Sequence, residues 1–115
     1  MALTEGKHTA EFLLSEGNGS ISREQGVLRS ESGALAAGTL LGKVGETGEL
    51  SAYDLSNVPE GVGVAVGVLY ANAADSTADQ KVTYIARDAE VIGSALTGLD
   101  ATGRTDLAAL GIVIR

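Results

Sequence analysis

The chain has 115 residues, enough for one domain, with a formal charge of −7, one His, no Cys and no Trp. These counts exclude a disulfide framework, a thiolate metal site and an imidazole cluster. The acidic balance disfavours nucleic acid and anionic membrane as partners, and no apolar run approaches the ~20 residues that span a bilayer.

Residues 1–22 are expected to form a flexible N-terminal arm, and residues 23–115 a compact, mainly β domain of short strands with one short C-terminal helix. Met1 to Ala10 lacks the apolar stretch of a secretory signal, which points to a soluble chain in the cytoplasm. Through residue 33 the sequence is rich in Gly, Ser, Glu and Arg, interrupted only by Phe12-Leu13-Leu14 and Val27-Leu28. Such a composition buries too little apolar surface to order itself. The alternative for Phe12-Leu13-Leu14 is a first strand of the domain's own sheet.

Thr39–Val44 and Glu49–Tyr53 flank Gly45-Glu46-Thr47-Gly48 and read as a hairpin. Asn57 to Gly61 is a turn cluster around Pro59. Val62–Tyr70 is the clearest strand. Val62, Val64, Val66 and Val68 fall on one face and are expected in the core. Gly63, Ala65 and Gly67 fall on the other, where another backbone could approach, within the domain or across a subunit contact. Ala73–Asp79 reads as a loop, Lys81–Arg87 as a strand and Glu90–Ile92 as its continuation. Asp100–Gly111 carries the helix signal, with Asp100 or Thr102 as cap and Gly111 as stop. Ile112-Val113-Ile114 closes as a strand. With one Phe, three Tyr and 16 Gly, the core rests on aliphatic side chains, and a lone protomer is expected to gain from oligomerising.

No motif argues for catalysis or for a cofactor. Gly61-Val62-Gly63-Val64-Ala65-Val66-Gly67 spaces its third glycine one residue late for a dinucleotide loop and reads as strand interior. Gly42-Lys43 lacks the following Ser or Thr of a phosphate loop. His8 has no neighbour to orient it. The Asn18-Gly19-Ser20 sequon carries nothing without secretion. The pairs Asp75/Asp79 and Glu46/Glu49 lack the pattern of a calcium loop and read as solvated charge. A small-molecule or sugar-binding β domain is the alternative that the acidic loops would suit.

Several segments, in order, carry a resemblance: Thr9-Ala10-Glu11-Phe12-Leu13-Leu14-Ser15-Glu16, Gly19-Ser20-Ile21-Ser22-Arg23-Glu24, Ser32 to Val44, Gly61 to Leu69, and Tyr84 to Val91. Together they resemble the lambda-type phage head decoration protein family, over about residue 9 to 115. Residues 46–60 and 73–79 contribute no segment to the resemblance. The resemblance implies a structural protein of the virion, assembled in the host cytoplasm and placed on the capsid exterior. It implies homotrimers at threefold and quasi-threefold positions of the expanded head, which stabilise the shell against packaged DNA. It also implies that the N-terminal arm adds as a strand to the major capsid protein. On this reading Phe12, Leu13, Leu14, Ser15, Glu16, Ser22 and Arg23 contact the capsid, and Arg29 could pair with a capsid carboxylate. Gly63, Ala65 and Gly67 are the expected trimer contact. Ordering an arm costs on the order of 1–2 kcal/mol per residue, so three arms on one trimer would bind where one would not.

Overall fold

Leu40-Leu41, Val68-Leu69 and Tyr84-Ile85 are adjacent pairs in which both residues are buried. Neighbours in a strand point to opposite faces, so these strands must be covered on both sides. The computed structural model, which describes residues 12–17, 21–29, 34–45, 48–54, 62–74 and 78–115, shows how. Strands β2 (Arg23–Leu28), β3 (Leu40–Lys43), β4 (Leu50–Ala52), β5 (Ala65–Leu69) and β6 (Gln80–Ile85) close into a barrel of order β2-β4-β3-β5-β6. Strands β1 (Leu13–Glu16), β7 (Ala89–Val91) and β8 (Ile112–Ile114) form a separate sheet of order β1-β7-β8. The single α-helix among the described residues, α1 (Ala101–Ala109), precedes β8.

Each barrel strand sends one residue to a common cluster: Leu28, Leu41, Leu50, Leu69 and Tyr84. The residues beside them, Leu40, Val68 and Ile85, face the other way. They join Phe12, Ala89, Val91, Ile112 and Leu107 in a second cluster, which binds the barrel to the three-stranded sheet and to α1. The barrel wall is uneven. β2 pairs with β6 over six residues, from Arg23↔Ile85 to Leu28↔Gln80, but meets β4 only at Leu28↔Leu50. There the Arg29 N–H donates to the Leu50 carbonyl at 2.8 Å.

The expected hairpin is β3–β4, paired antiparallel through Gly42↔Ser51. The helix is capped as expected. The Asp100 carboxylate accepts from the Gly103 N–H at 2.6 Å and from the Tyr53 hydroxyl at 2.9 Å. Asp106 extends the tie by accepting from the Ala65 N–H at 3.0 Å. The turn cluster at 57–61 lies outside the described residues save that the chain resumes at Val62.

Two expectations are corrected. The valine face of Val62–Tyr70 is not one face, because the strand begins only at Ala65 and residues 62–64 turn. Val62 and Val68 are buried, Val66 is half-buried and Val64 is 56% exposed. The small residues sit inside instead. A Cβ on Gly67 would fall 2.5 Å from the Ile85 carbonyl oxygen and 2.6 Å from the Tyr84 ring, so the close backbone approach is made within the chain.

The second correction concerns the arm. Residues 12–17 lie on the domain. β1 pairs antiparallel with β7, with a bulge between Leu13 and Ser15. Phe12 is 1% exposed, and its carbonyl accepts from the Ile92 N–H at 2.8 Å. The largest apolar side chain of the segment gains more from a dry pocket than the polar residues around it lose by being tethered. Residues 1–11 and 18–20 of the expected arm lie outside the described residues.

Candidate functional site

The seven residues expected at a binding surface separate into three sets. Phe12 is buried, and Leu13 packs partly against the same cluster. Ser22 is fully buried. Its hydroxyl donates to the Asp88 carbonyl at 2.7 Å and accepts from the Gly17 N–H at 2.7 Å. These three residues hold the segment down and do not face outward. Leu14, at 51% exposure, and Ser15 do face solvent.

Glu16 and Arg23 lie on either side of the β1–β2 connection and are joined by two hydrogen bonds. Arg23 Nε donates to Glu16 Oε2 at 3.1 Å, and Nη2 to Oε1 at 2.5 Å. The same guanidinium stacks over the Tyr70 ring at 4.4 Å. The Glu16 carboxylate raises the arginine pKa further above its usual value, burial opposing it. A planar, two-pronged contact of this kind fixes orientation as well as charge. Arg87 adds a second tie: its Nη1 donates to the Ile21 carbonyl at 2.6 Å, and its Nη2 pairs with Glu24. Arg29 donates to the Ser51 hydroxyl at 3.4 Å. Sequence reasoning did not find the Glu16–Arg23–Tyr70 stack. Opposite charges seven positions apart across a turn were the available signal, and Tyr70 could be placed only by the fold.

The expected subunit-contact residues Gly63, Ala65 and Gly67 are all buried in the protomer, with Val64 exposed among them.

The register defines the outer surface. Ser15 stands opposite Glu90, and Glu90 opposite Val113, so these three lie abreast across the three-stranded sheet. Val113 is 46% exposed, and Arg115 pairs with Glu90 at 2.9 Å. β1 and β8 are the two end strands, and each has only one neighbour among the described residues. An end strand offers main-chain donors and acceptors to a further strand. A groove lies elsewhere, at the barrel seam. It has about 640 Å³ and is bordered by Glu24, Gln25, Lys43, Glu49, Leu50 and Tyr84. Among the described residues no group of three or more His, Asp or Glu could hold a metal, and no helix is long and apolar enough to cross a membrane.

Among the described residues the small barrel carries a sheet whose two end strands each have one neighbour, and the side chains of Glu16, Ser22, Arg23 and Arg87 are engaged in ties within the protomer. The comparison with known families gives it a place: the model of the family described as bacteriophage lambda head decoration protein D matches residues 2–112. The chain belongs to that family, a structural family of the phage head. Its class is therefore capsid decoration, with the phage capsid as partner and the virion as location. A search of curated proteins finds no match.

Proposed function

We propose that this chain decorates the outside of an expanded phage head as a homotrimer at threefold and quasi-threefold positions and stabilises the shell against packaged DNA. It is made in the host cytoplasm and acts on the virion. The observation that carries the reading is the family match over residues 2–112.

The open edge of β1 supports strand addition to the major capsid protein. One edge of β1 is taken by β7, so the capsid strand would add to the other edge and to the residues that lead into it. Leu14 and Ser15 are then the side chains that meet the capsid, whereas Phe12, Leu13 and Ser22 act by holding β1 in place. The trimer contact expected at Gly63, Ala65 and Gly67 passes in this proposal to the exposed Val64, because the atoms of its neighbours are already covered. Trimerisation multiplies weak single contacts into one durable attachment.

The test separates assembly from attachment. Residues 1–11 are removed, which leaves Phe12 in its pocket, and the protein's mass in solution is measured beside its binding to cognate expanded capsids that lack a decoration protein. The expected result is an unchanged trimer mass with capsid affinity reduced by at least about tenfold. Full affinity of the shortened chain would remove the arm from the mechanism. A monomeric full-length protein would remove the trimer.

A further inference from the structure

The C-terminal strand lies beside a trough that the decoration reading leaves unused. Its walls are Arg104 and Ala108, four positions apart on one face of α1, and its floor runs from Gly111 through Ile112 and Val113 to Ile114. Its volume is about 310 Å³. Apart from the arginine, every side chain lining it is apolar. Residues spaced by four stand one above the other on a helix, so Arg104 and Ala108 make a continuous wall.

β8 is the end strand of its sheet. It is held to β7 by alternate residues. The Ala89 N–H donates to the Gly111 carbonyl at 3.3 Å, the Arg115 N–H to the Val91 carbonyl at 2.8 Å, and the Gly93 N–H to the Arg115 carbonyl at 3.0 Å. In a parallel ladder the intervening residues turn their main chain the other way. Ile112 and Ile114 therefore direct N–H and C=O groups away from β7.

The charges around the trough are unequal. Arg115, at its far end, is already paired with Glu90. The Asp88 carboxylate lies against the Gly111 turn, where a Cβ on the glycine would meet its Oδ1 at 2.7 Å. Of the two acids on α1 and its cap, Asp100 is bonded to Gly103 and Tyr53, and Asp106 to Ala65. Arg104 makes no ion pair with the described residues. It is a cation beside an apolar floor in a chain of charge −7.

From this we infer that the trough between α1 and β8 receives an extended, mainly apolar segment of the major capsid protein, running along β8 with a carboxylate of that segment against Arg104. The inference rests on the decoration reading. It adds a second attachment point on the same small sheet, at the edge opposite β1. Main-chain pairing supplies affinity, the apolar floor takes alternate side chains, and the charge pair sets the register.

The test uses Ala108→Arg, which fills the trough from an exposed helix position, and Arg104→Glu, which reverses its charge. Both are compared with wild type on cognate expanded capsids lacking decoration protein. Each variant is expected to lose about tenfold or more in capsid affinity with its melting temperature and assembly mass unchanged. Arg104→Lys is expected to stay within about threefold of wild type in low salt. Amide exchange across Gly111–Arg115 of the wild-type protein is expected to slow when capsids are added, a readout that needs no variant. Wild-type binding with both variants unimpaired, or with exchange there unchanged, overturns the trough and leaves capsid decoration standing. A changed assembly mass in Ala108→Arg assigns the trough to contact between copies and also overturns the inference. Failure of the wild type itself to bind removes the decoration reading, and the trough's occupant with it.

Discussion

The barrel and the three-stranded sheet use strands of similar length, yet they leave different things open. In the barrel, Leu28, Leu41, Leu50, Leu69 and Tyr84 meet from all five strands, and closure consumes nearly every edge. In the sheet, β7 is paired on both sides while β1 and β8 each keep one side unpaired among the described residues. Closure hides main-chain groups and an end strand offers them. The barrel thus closes on itself, and the sheet is the part to which the proposed capsid contacts are assigned. Phe12 belongs to both, since its ring joins the cluster that contains Leu40 and Ile85 from the barrel and Val91 and Ile112 from the sheet.

The sharpest way to break this division is at Phe12 itself. Phe12→Ala is expected to lower unfolding free energy by about 3–5 kcal/mol in denaturant titration, the range for emptying a buried aromatic site. A loss below about 0.5 kcal/mol, as for an exposed residue, would return residues 12–16 to a free arm. Next in size is Gly67→Ala. Its methyl group would collide with the Ile85 backbone, and a rigid neighbour yields little, so a loss of about 1–3 kcal/mol is expected. An effect there confined to the trimer, with protomer stability intact, would restore Gly67 as a subunit contact. Asp100→Ala removes a helix cap and is expected to cost about 1 kcal/mol.

The same cap also carries a pH effect. Burial first, and then the hydrogen bond to Asp100, push the Tyr53 hydroxyl from its ordinary 10.0 up to about 12. The folded protein therefore keeps this proton where the unfolded chain has released it. The resulting stability is full below pH 10 and is lost as pH rises through about 12. Melting temperature should fall across that window in wild type and fall less steeply in Tyr53→Phe. Equal slopes would place the tyrosine outside the stabilising network. Last, Leu14→Asp should change stability by less than about 0.5 kcal/mol, because the side chain faces solvent, while weakening capsid attachment. Unchanged attachment would move the binding surface away from β1.

Much of the barrel was legible because its strands carry strong local patterns. Leu40-Leu41 with Leu50 around a glycine-bearing loop can hardly be other than a hairpin, and Asp100 followed by Gly111 brackets the helix at both ends. The face assignment of Val62–Tyr70 failed for a definite reason. Period two separates faces but does not say which is wet, and a strand covered on both sides has no wet face. Gly67 is small because the neighbouring strand crowds it, and Ala65 is buried. Phe12 failed differently. Its neighbours are polar, and a four-residue strand with one anchoring ring leaves almost no periodic signal. Its hydrogen-bond partner, Ile92, is 80 positions away from it in number, beyond any local pattern. The candidate surface was legible only as a family likeness. Leu14 and Ser15 remained outward, Phe12 and Ser22 turned inward, and the trough beside β8 requires a helix and a strand whose juxtaposition no spacing rule foretells.

The three-stranded sheet also has an unusual schedule. Residues 13–16 must wait for residues 89–91, and those must be joined by 112–114 before the layer is complete. The barrel draws on 23–85 alone. The barrel's last strand ends at Ile85, so every barrel strand has been made before the third strand of the sheet. A released chain ending before Ile112 would keep every strand of the barrel and lack the third strand of the sheet.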